Sequence, residues 1–324
     1  MPPPMQAPSY APDLQAQPPP MRQSGEQERL IVQEQIEKAK PSMRKGEFPG
    51  GWIDKSGQLH RAVEVREIRG HEEEIISNDS IDNITKADMI FANCIQRVGS
   101  ITDRGQIAEL VPDLLVGDRI WLLIEIRRAS VGDVYPFLEV CPACEEEQSF
   151  TLNLGDLKVQ SLADPMTRVY PVQLPSGRVA ELCIPTGRQE RFRDGIKDTD
   201  PAQLSKIMLS RLALLDGRPA LLNDVLDLSL ADRTELTMAV DDLPECGVDL
   251  TIETTCPNAR QLVREFDDVG LKQKYYIPQP CGYERTRQMT INQPGFFYPA
   301  QVLKRWKKKL LSSRRPSDIP LKTV

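Results

Sequence analysis

Histidine is almost missing from this chain: His60 and His71 are the only two among 324 residues. Their scarcity removes the usual general base and the commonest neutral metal ligand. No second histidine follows His71-Glu72 four residues on, which excludes the zincin pattern. Aromatic residues make up 6% of the chain, and its longest apolar run, Ile120 to Ile126, is interrupted by Glu125 and is too short to span a bilayer. There is no G-x-S-x-G elbow, no G-x-x-x-x-G-K-[ST] loop and no G-x-G-x-x-G turn. Without a signal-peptide pattern or an enzyme signature, the expectation is a non-enzymatic protein of a soluble, reducing compartment.

Charge is unevenly spread. The net charge is -6, which gives the body of the protein no reason to hold nucleic acid tightly. From Lys304 to the end, eight basic residues stand against Asp318, a local charge of +7 that leaves -13 for the rest. Residues 300–315 place Val302, Leu303, Trp306 and Leu310 on one helical face among lysines and arginines. That pattern predicts a basic amphipathic helix over the tail 300–324. It suits an acidic partner, anionic lipid or nucleic acid, or else a solvated helix packed on its own body through Trp306. The opposite end differs: residues 1–22 hold eight prolines, a composition that predicts a disordered arm over 1–24. A helix and linker follow over 25–45, with Leu30, Ile31, Val32, Ile36 and Ala39 as apolar positions and Lys40-Pro41 as the stop.

The folded chain reads as α+β. Over 46–132, Gly46–Asp54 and Arg61–Ile68 form a hairpin, and a short helix opens at Gly70. A helix capped by Asp79 or Ser80 carries Ile84, Ala87, Ile90, Phe91, Cys94, Ile95 and Val98 at helical spacing, and a buried helix follows Asp118. Residues 133–299 read as a second part with an α+β insertion at about 160–245. The insertion contains a hairpin over Val169–Ile184 and amphipathic helices over Pro201–Leu215 and Ala231–Val240.

Its organising feature is Cys141-Pro142-Ala143-Cys144 between two strand-like runs, Val134–Val140 and Ser149–Leu154. One such turn offers two thiolates, so a tetrahedral structural metal needs a second. Val248–Thr255 leads into Cys256, but Ala259 stands where the next thiolate belongs. Excising 257–280 brings Cys256 against Cys281-Gly282 and its exit strand, which nominates Cys141, Cys144, Cys256 and Cys281 as ligands of one structural zinc. The whole then reads as zinc-ribbon-like strand knuckles, the second interrupted by 24 residues. The alternatives are a ribbon that has lost its metal, or four unrelated thiols. Cys246 is a reserve ligand, and Cys94 and Cys183 fit small core residues.

Several of these stretches, taken in order, carry a family resemblance. Arg66–Ile75, Leu115-Val116-Gly117-Asp118-Arg119, Phe137–Cys144, Cys281-Gly282 and Gly295–Pro299 resemble the T-even-type bacteriophage baseplate protein family. The resemblance implies a hub component or hub assembly protein of a contractile tail, with other tail and baseplate proteins as partners. It places the protein in the host cytoplasm during assembly or in the virion tail baseplate. It also implies two C-P-x-C knuckles, from which this chain departs at Ala259, and it does not cover the added termini. A zinc-ribbon nucleic-acid-binding regulator is the alternative from another class, and a metalloenzyme with an open metal position a third.

Overall fold

The computed structural model describes residues 43–259, 261–268, 271–289, 291 and 294–297. The N-terminal arm, the helix expected from Gly25 to Ala39 and the basic C-terminal helix lie outside the described residues, whereas Arg44 and Lys45, expected as the end of a linker, already belong to a strand. The architecture is mixed α+β with small antiparallel sheets. In chain order its elements begin with β1 (Arg44–Ile53), β2 (Leu59–Val65), α1 (Gly70–Ser77), α2 (Asn83–Cys94), β3 (Ile95–Val98), α3 (Arg104–Leu110) and α4 (Val116–Val131). The hairpin β4 (Val134–Val140) and β5 (Glu147–Asn153) is followed by β6 (Val159–Gln160), β7 (Val169–Gln173) and β8 (Val179–Cys183). Then come α5 (Gly187–Asp194), α6 (Gln203–Leu209), β9 (Leu212–Leu215), α7 (Leu222–Leu226) and α8 (Leu230–Asp241). The chain returns through β10 (Gly247–Val248), β11 (Thr251–Thr255), β12 (Gln261–Asp268), β13 (Leu271–Ile277), β14 (Glu284–Gln288) and α9 (Pro294–Phe297).

Helix α4 is the spine. Trp121, Leu122 and Ile126 pack with Phe48, Val63, Phe91, Ile95 and Leu114 under the β1–β2–β3 sheet. On its other side Ile124 joins Phe137, Leu154, Ile252, Met289 and Phe296. A helix walled in on both sides must neutralise its charges locally, because an unpaired buried charge costs several kcal/mol. Arg119 pairs with Asp88 at 2.5 Å and with Glu190 at 3.0 Å, and Glu125 with Arg44 at 2.7 Å and Arg128 at 2.5 Å. Arg127 instead donates to three carbonyls, those of Phe296 (2.9 Å), Gly132 (2.8 Å) and Val134 (3.0 Å). Burial lowers its pKa to about 10.

The first turn of α4 is held to β1 through a bulge. Pairing of β1 with β2 slips between Glu47 and Trp52, and Gly51 there takes φ +81°, which glycine adopts at little cost. The backbone groups freed by the slip find side-chain partners. Asp118 Oδ1 accepts the Gly50 N–H at 2.7 Å, Arg168 donates to the Gly50 and Gly51 carbonyls at 2.9 and 3.0 Å, and Arg61 donates to Phe48 O at 3.1 Å. Asp118 is fully buried and its Oδ2 has no hydrogen-bond partner. Beside it, Gly117 lies so close to the return strand that a Cβ would stand 1.9 Å from the Cys246 carbonyl oxygen.

Two helix predictions need correction. The segment 83–98 is helical only to Cys94, and its cap is Asp82, whose side chain accepts the Thr85 N–H. Ile95–Val98 leaves as β3 because Val98 and Arg97 pair with Val63 and Glu64 of β2. Likewise the helix expected over Pro201–Leu215 is confined to Gln203–Leu209, and Leu212–Leu215 becomes a strand on β8. In both, apolar residues that fit a helical period are captured by an open sheet edge, a tertiary choice that periodicity does not encode. The helix expected over Ala231–Val240 runs from Leu230 to Asp241, capped by Ser229. Around β7–β8–β9, Leu174, Leu182, Leu215, Val225 and Leu236 form a core of their own.

Candidate metal centre

Two hairpin ends build the site. In the first, β4 and β5 pair up to Val140 with Glu147, so Cys141 and Cys144 occupy the connecting turn. In the second, β11 and β14 pair up to Thr255 with Glu284, which places Cys256 just past one strand and Cys281 just before the other. The β12–β13 hairpin leaves the second turn between them. The Cys281 N–H donates to Asn258 O at 2.8 Å across the base of that excursion, closing the turn as though the hairpin were absent.

The two turns repeat each other in detail. The Cys141 N–H donates to Glu146 O at 3.0 Å, and the Cys256 N–H donates to Tyr283 O at 2.9 Å. The residue after the second cysteine is left-handed in both, Glu145 at φ 57° and Gly282 at φ 60°. Only glycine takes that conformation freely, which accounts for Cys281-Gly282 and leaves Glu145 mildly strained. The backbone N–H two residues on then faces sulfur: Glu146 toward Cys144, Asn258 toward Cys256 and Tyr283 toward Cys281. Such donors favour thiolate over thiol.

The hairpins are locked face to face by charge and by an aromatic ring. Glu139 of β4 receives Arg285 at 2.7 Å and has Arg287 at 3.5 Å, both from β14, and the Arg287 guanidinium lies 4.5 Å from the Phe137 ring centre. The result brings together all four cysteines nominated from the sequence. Their sulfurs lie within 4.8 Å of one another, with Cys141–Cys281 at 3.8 Å and Cys144–Cys256 at 3.7 Å, and no disulfide is formed. A tetrahedral zinc with Zn–S of about 2.3 Å requires sulfurs about 3.8 Å apart, so these four can hold a metal. Cys141, Cys144 and Cys256 are buried and Cys281 half-buried.

Electrostatics point the same way. Burial opposes ionisation of Cys144, but Asn258 Nδ2 donating at 3.3 Å, the Glu146 N–H and the neighbouring thiols bring its pKa down to about 7. Burial pushes Cys256 up to about 12 and raises Cys281 as well, and the neighbouring thiols act on both. Four clustered thiols cannot all ionise on their own. A divalent cation removes that obstacle, since coordinated thiols are deprotonated outright. A closed set of four sulfurs also leaves no position for a substrate or activated water, and it suits a structural metal.

The remaining cysteines sit elsewhere. Cys246 packs against Gly50 and Gly117 beside Asp118, where burial pushes its pKa up to about 12. Cys94 is fully buried in the main core, and Cys183 is half-buried with its thiol 3.4 Å from Arg211 O. His71 is exposed, and His60 is buried with its Nε2 2.8 Å from Asp54 Oδ2. Sequence reasoning missed Asn258 and the Glu139–Arg285–Arg287 clasp. An asparagine two residues after a cysteine was the available signal for the first; the second joins strands 146 residues apart in sequence and had none.

A family model described as T4 bacteriophage base plate protein matches residues 61–270, more than half of the chain. The match runs from β2 to the β12–β13 turn and includes three of the four clustered cysteines. No curated protein and no solved structure matches.

Proposed function

Because this chain belongs to the T4 bacteriophage base plate protein family, we propose that it is a non-enzymatic component or assembly factor of the baseplate hub region that works by protein–protein contacts. A structural or assembly role in the tail baseplate, with other phage tail proteins as partners, follows from the family. The hub assignment and the absence of catalysis are our reading. What carries it is the closed four-sulfur cluster, whose chemistry suits cross-linking strands rather than turning over a substrate.

In this reading the cluster is an interrupted zinc ribbon. Zinc bound by Cys141, Cys144, Cys256 and Cys281 ties β4–β5 to β11–β14 across more than a hundred residues, contributing on the order of 10 kcal/mol to folding. The domain plan that accompanies it treats 46–132 and 133–299 as two parts joined through α4, with the α+β insertion of about 160–245 as a surface for a neighbouring tail protein. The nucleic-acid alternative draws little from the ribbon surface. Arg285 and Arg287 share Glu139, so one of the two positive charges beside the cysteines is already balanced within the fold. Among the described residues no helix is long and apolar enough to cross a membrane.

Affinity isolation of the full-length chain from phage-producing cells, followed by mass spectrometry, tests the proposal. Tail proteins that stay associated at 0.5 M salt are the expected result. Recovery of the chain alone, or with nucleic acid that salt removes, would sink it.

A further inference from the structure

Helix α8 carries an outward-facing apolar surface that none of the described residues covers. Its inner stripe, Asp232 and Leu236, is buried, whereas Leu230, Thr234, Thr237, Met238 and Asp241 are exposed along the opposite side. Leu230 is 82% and Met238 59% accessible, large values for apolar side chains on one helix. The threonines between them add to the apolar character. Thr234 Oγ1 donates to Leu230 O at 2.9 Å and Thr237 Oγ1 to Arg233 O at 2.9 Å, so each hydroxyl is turned onto the helix and its methyl is left outward. Immediately before the helix, Leu226 of α7 is 49% accessible.

The end of this stripe carries negative charge. Asp241 and Asp242 stand at the C-terminus of α8, where the helix already presents unsatisfied carbonyls and partial negative charge, and its last turn has no basic residue. Neither aspartate has an ion-pair partner among the described residues. The arrangement opposes the helix's own dipole, and a cation brought from outside would relieve it. An apolar stripe about two turns long ending in uncompensated acid fits an amphipathic basic helix.

We infer that the occupant is the chain's own C-terminal segment, 302–315. Its sequence repeats the spacing in complementary form: Val302, Leu303, Trp306 and Leu310 cover the same eight-residue interval as Leu230 to Met238, and Lys307-Lys308-Lys309 with Arg314-Arg315 supply the opposite charge. The segment begins five residues after Phe297, the last described residue, so the occupant is covalently tethered to the folded body. Docked, it covers the α8 face and cancels the acid at the helix end. This inference does not depend on the metal centre or on the hub assignment.

Hydrogen exchange on the full-length chain tests it. In the wild-type chain, amides of 302–312 exchange at least tenfold more slowly than in a free peptide of the same sequence, equally at two protein concentrations tenfold apart. In the double variant Leu230→Asp, Met238→Asp that protection disappears while α4 and β7–β9 exchange as before. Reciprocally, Trp306→Ser speeds exchange in 230–241, and this variant cannot fail through misfolding of α8 itself. Protection that vanishes on dilution would assign the face to a second copy and overturn the intrachain assignment. Exchange in 302–312 unchanged by the α8 variant, or in 230–241 unchanged by Trp306→Ser, would overturn the inference altogether.

Discussion

Asp118→Asn should flatten the dependence of stability on pH. Asp118 is fully buried at the start of α4, its Oδ1 accepting the Gly50 N–H and its Oδ2 left without a partner. Burial is the main influence on its pKa; the Gly50 hydrogen bond and the Arg168 charge oppose it but leave the pKa raised to about 7. A carboxyl whose folded pKa exceeds its unfolded value near 3.9 takes up a proton on folding. Its stabilising contribution is therefore complete below about pH 4 and is lost as pH rises to about 7. Three pH units of displacement correspond to about 4 kcal/mol. Asparagine keeps the Oδ1 acceptor and has no charge to bury. Urea unfolding of the wild type and variant should show the variant within about 1 kcal/mol at pH 4 and gaining relative to the wild type by about 4 kcal/mol up to pH 8. Taking the difference between the two chains cancels the other groups that titrate in this window. Parallel pH profiles would refute the reasoning, since they would mean that Asp118 is ionised in the folded protein across the whole range.

Two further substitutions probe the contacts of α4. Gly117→Ala places a Cβ 1.9 Å from the Cys246 carbonyl oxygen and 2.6 Å from its carbon, so backbone must move, and a loss of about 3 kcal/mol in urea unfolding is expected. A loss under 0.5 kcal/mol would show that the return strand yields freely. Arg127→Met leaves the carbonyls of Phe296, Gly132 and Val134 without their donor, costing about 3 kcal/mol in the same assay. Arg127→Lys keeps the charge but not the planar fork that reaches three acceptors, and it should recover less than half of that loss.

What the sequence revealed of this fold depended on the range of the interactions involved. The Cys141–Cys144 turn and its flanking strands were legible because a hairpin ending in two thiolates is written into consecutive residues. Cys256 and Cys281 were legible because Cys281-Gly282 marks the left-handed turn even though the β12–β13 hairpin interrupts the knuckle just upstream. The strands Ile95–Val98 and Leu212–Leu215 were hidden, since each continues a helical apolar pattern and becomes a strand only against β2 or β8. Helix α5, Gly187-Arg-Gln-Glu-Arg-Phe-Arg-Asp194, was hidden for the opposite reason: it has almost no apolar stripe and is held by Arg188 to Asp113, Arg191 to Asp88 and Glu190 to Arg119. The roles of Asp118 and Arg127 were also out of reach. Charged residues in an apolar helix announce a buried partner, but that of Asp118 is the backbone of a distant bulge, and Arg127 reaches the distant Phe296 carbonyl besides those of nearby Gly132 and Val134.

The claim that the rest depends on is that four thiolates from two distant hairpins hold one metal. Elemental analysis of the purified full-length chain measures it directly. The account predicts one zinc per chain in the wild type and in Cys246→Ser, and none in Cys144→Ser or Cys281→Ser. Wild-type chain that carries no zinc after expression with zinc in the medium would contradict it, as would zinc retained in both cluster variants.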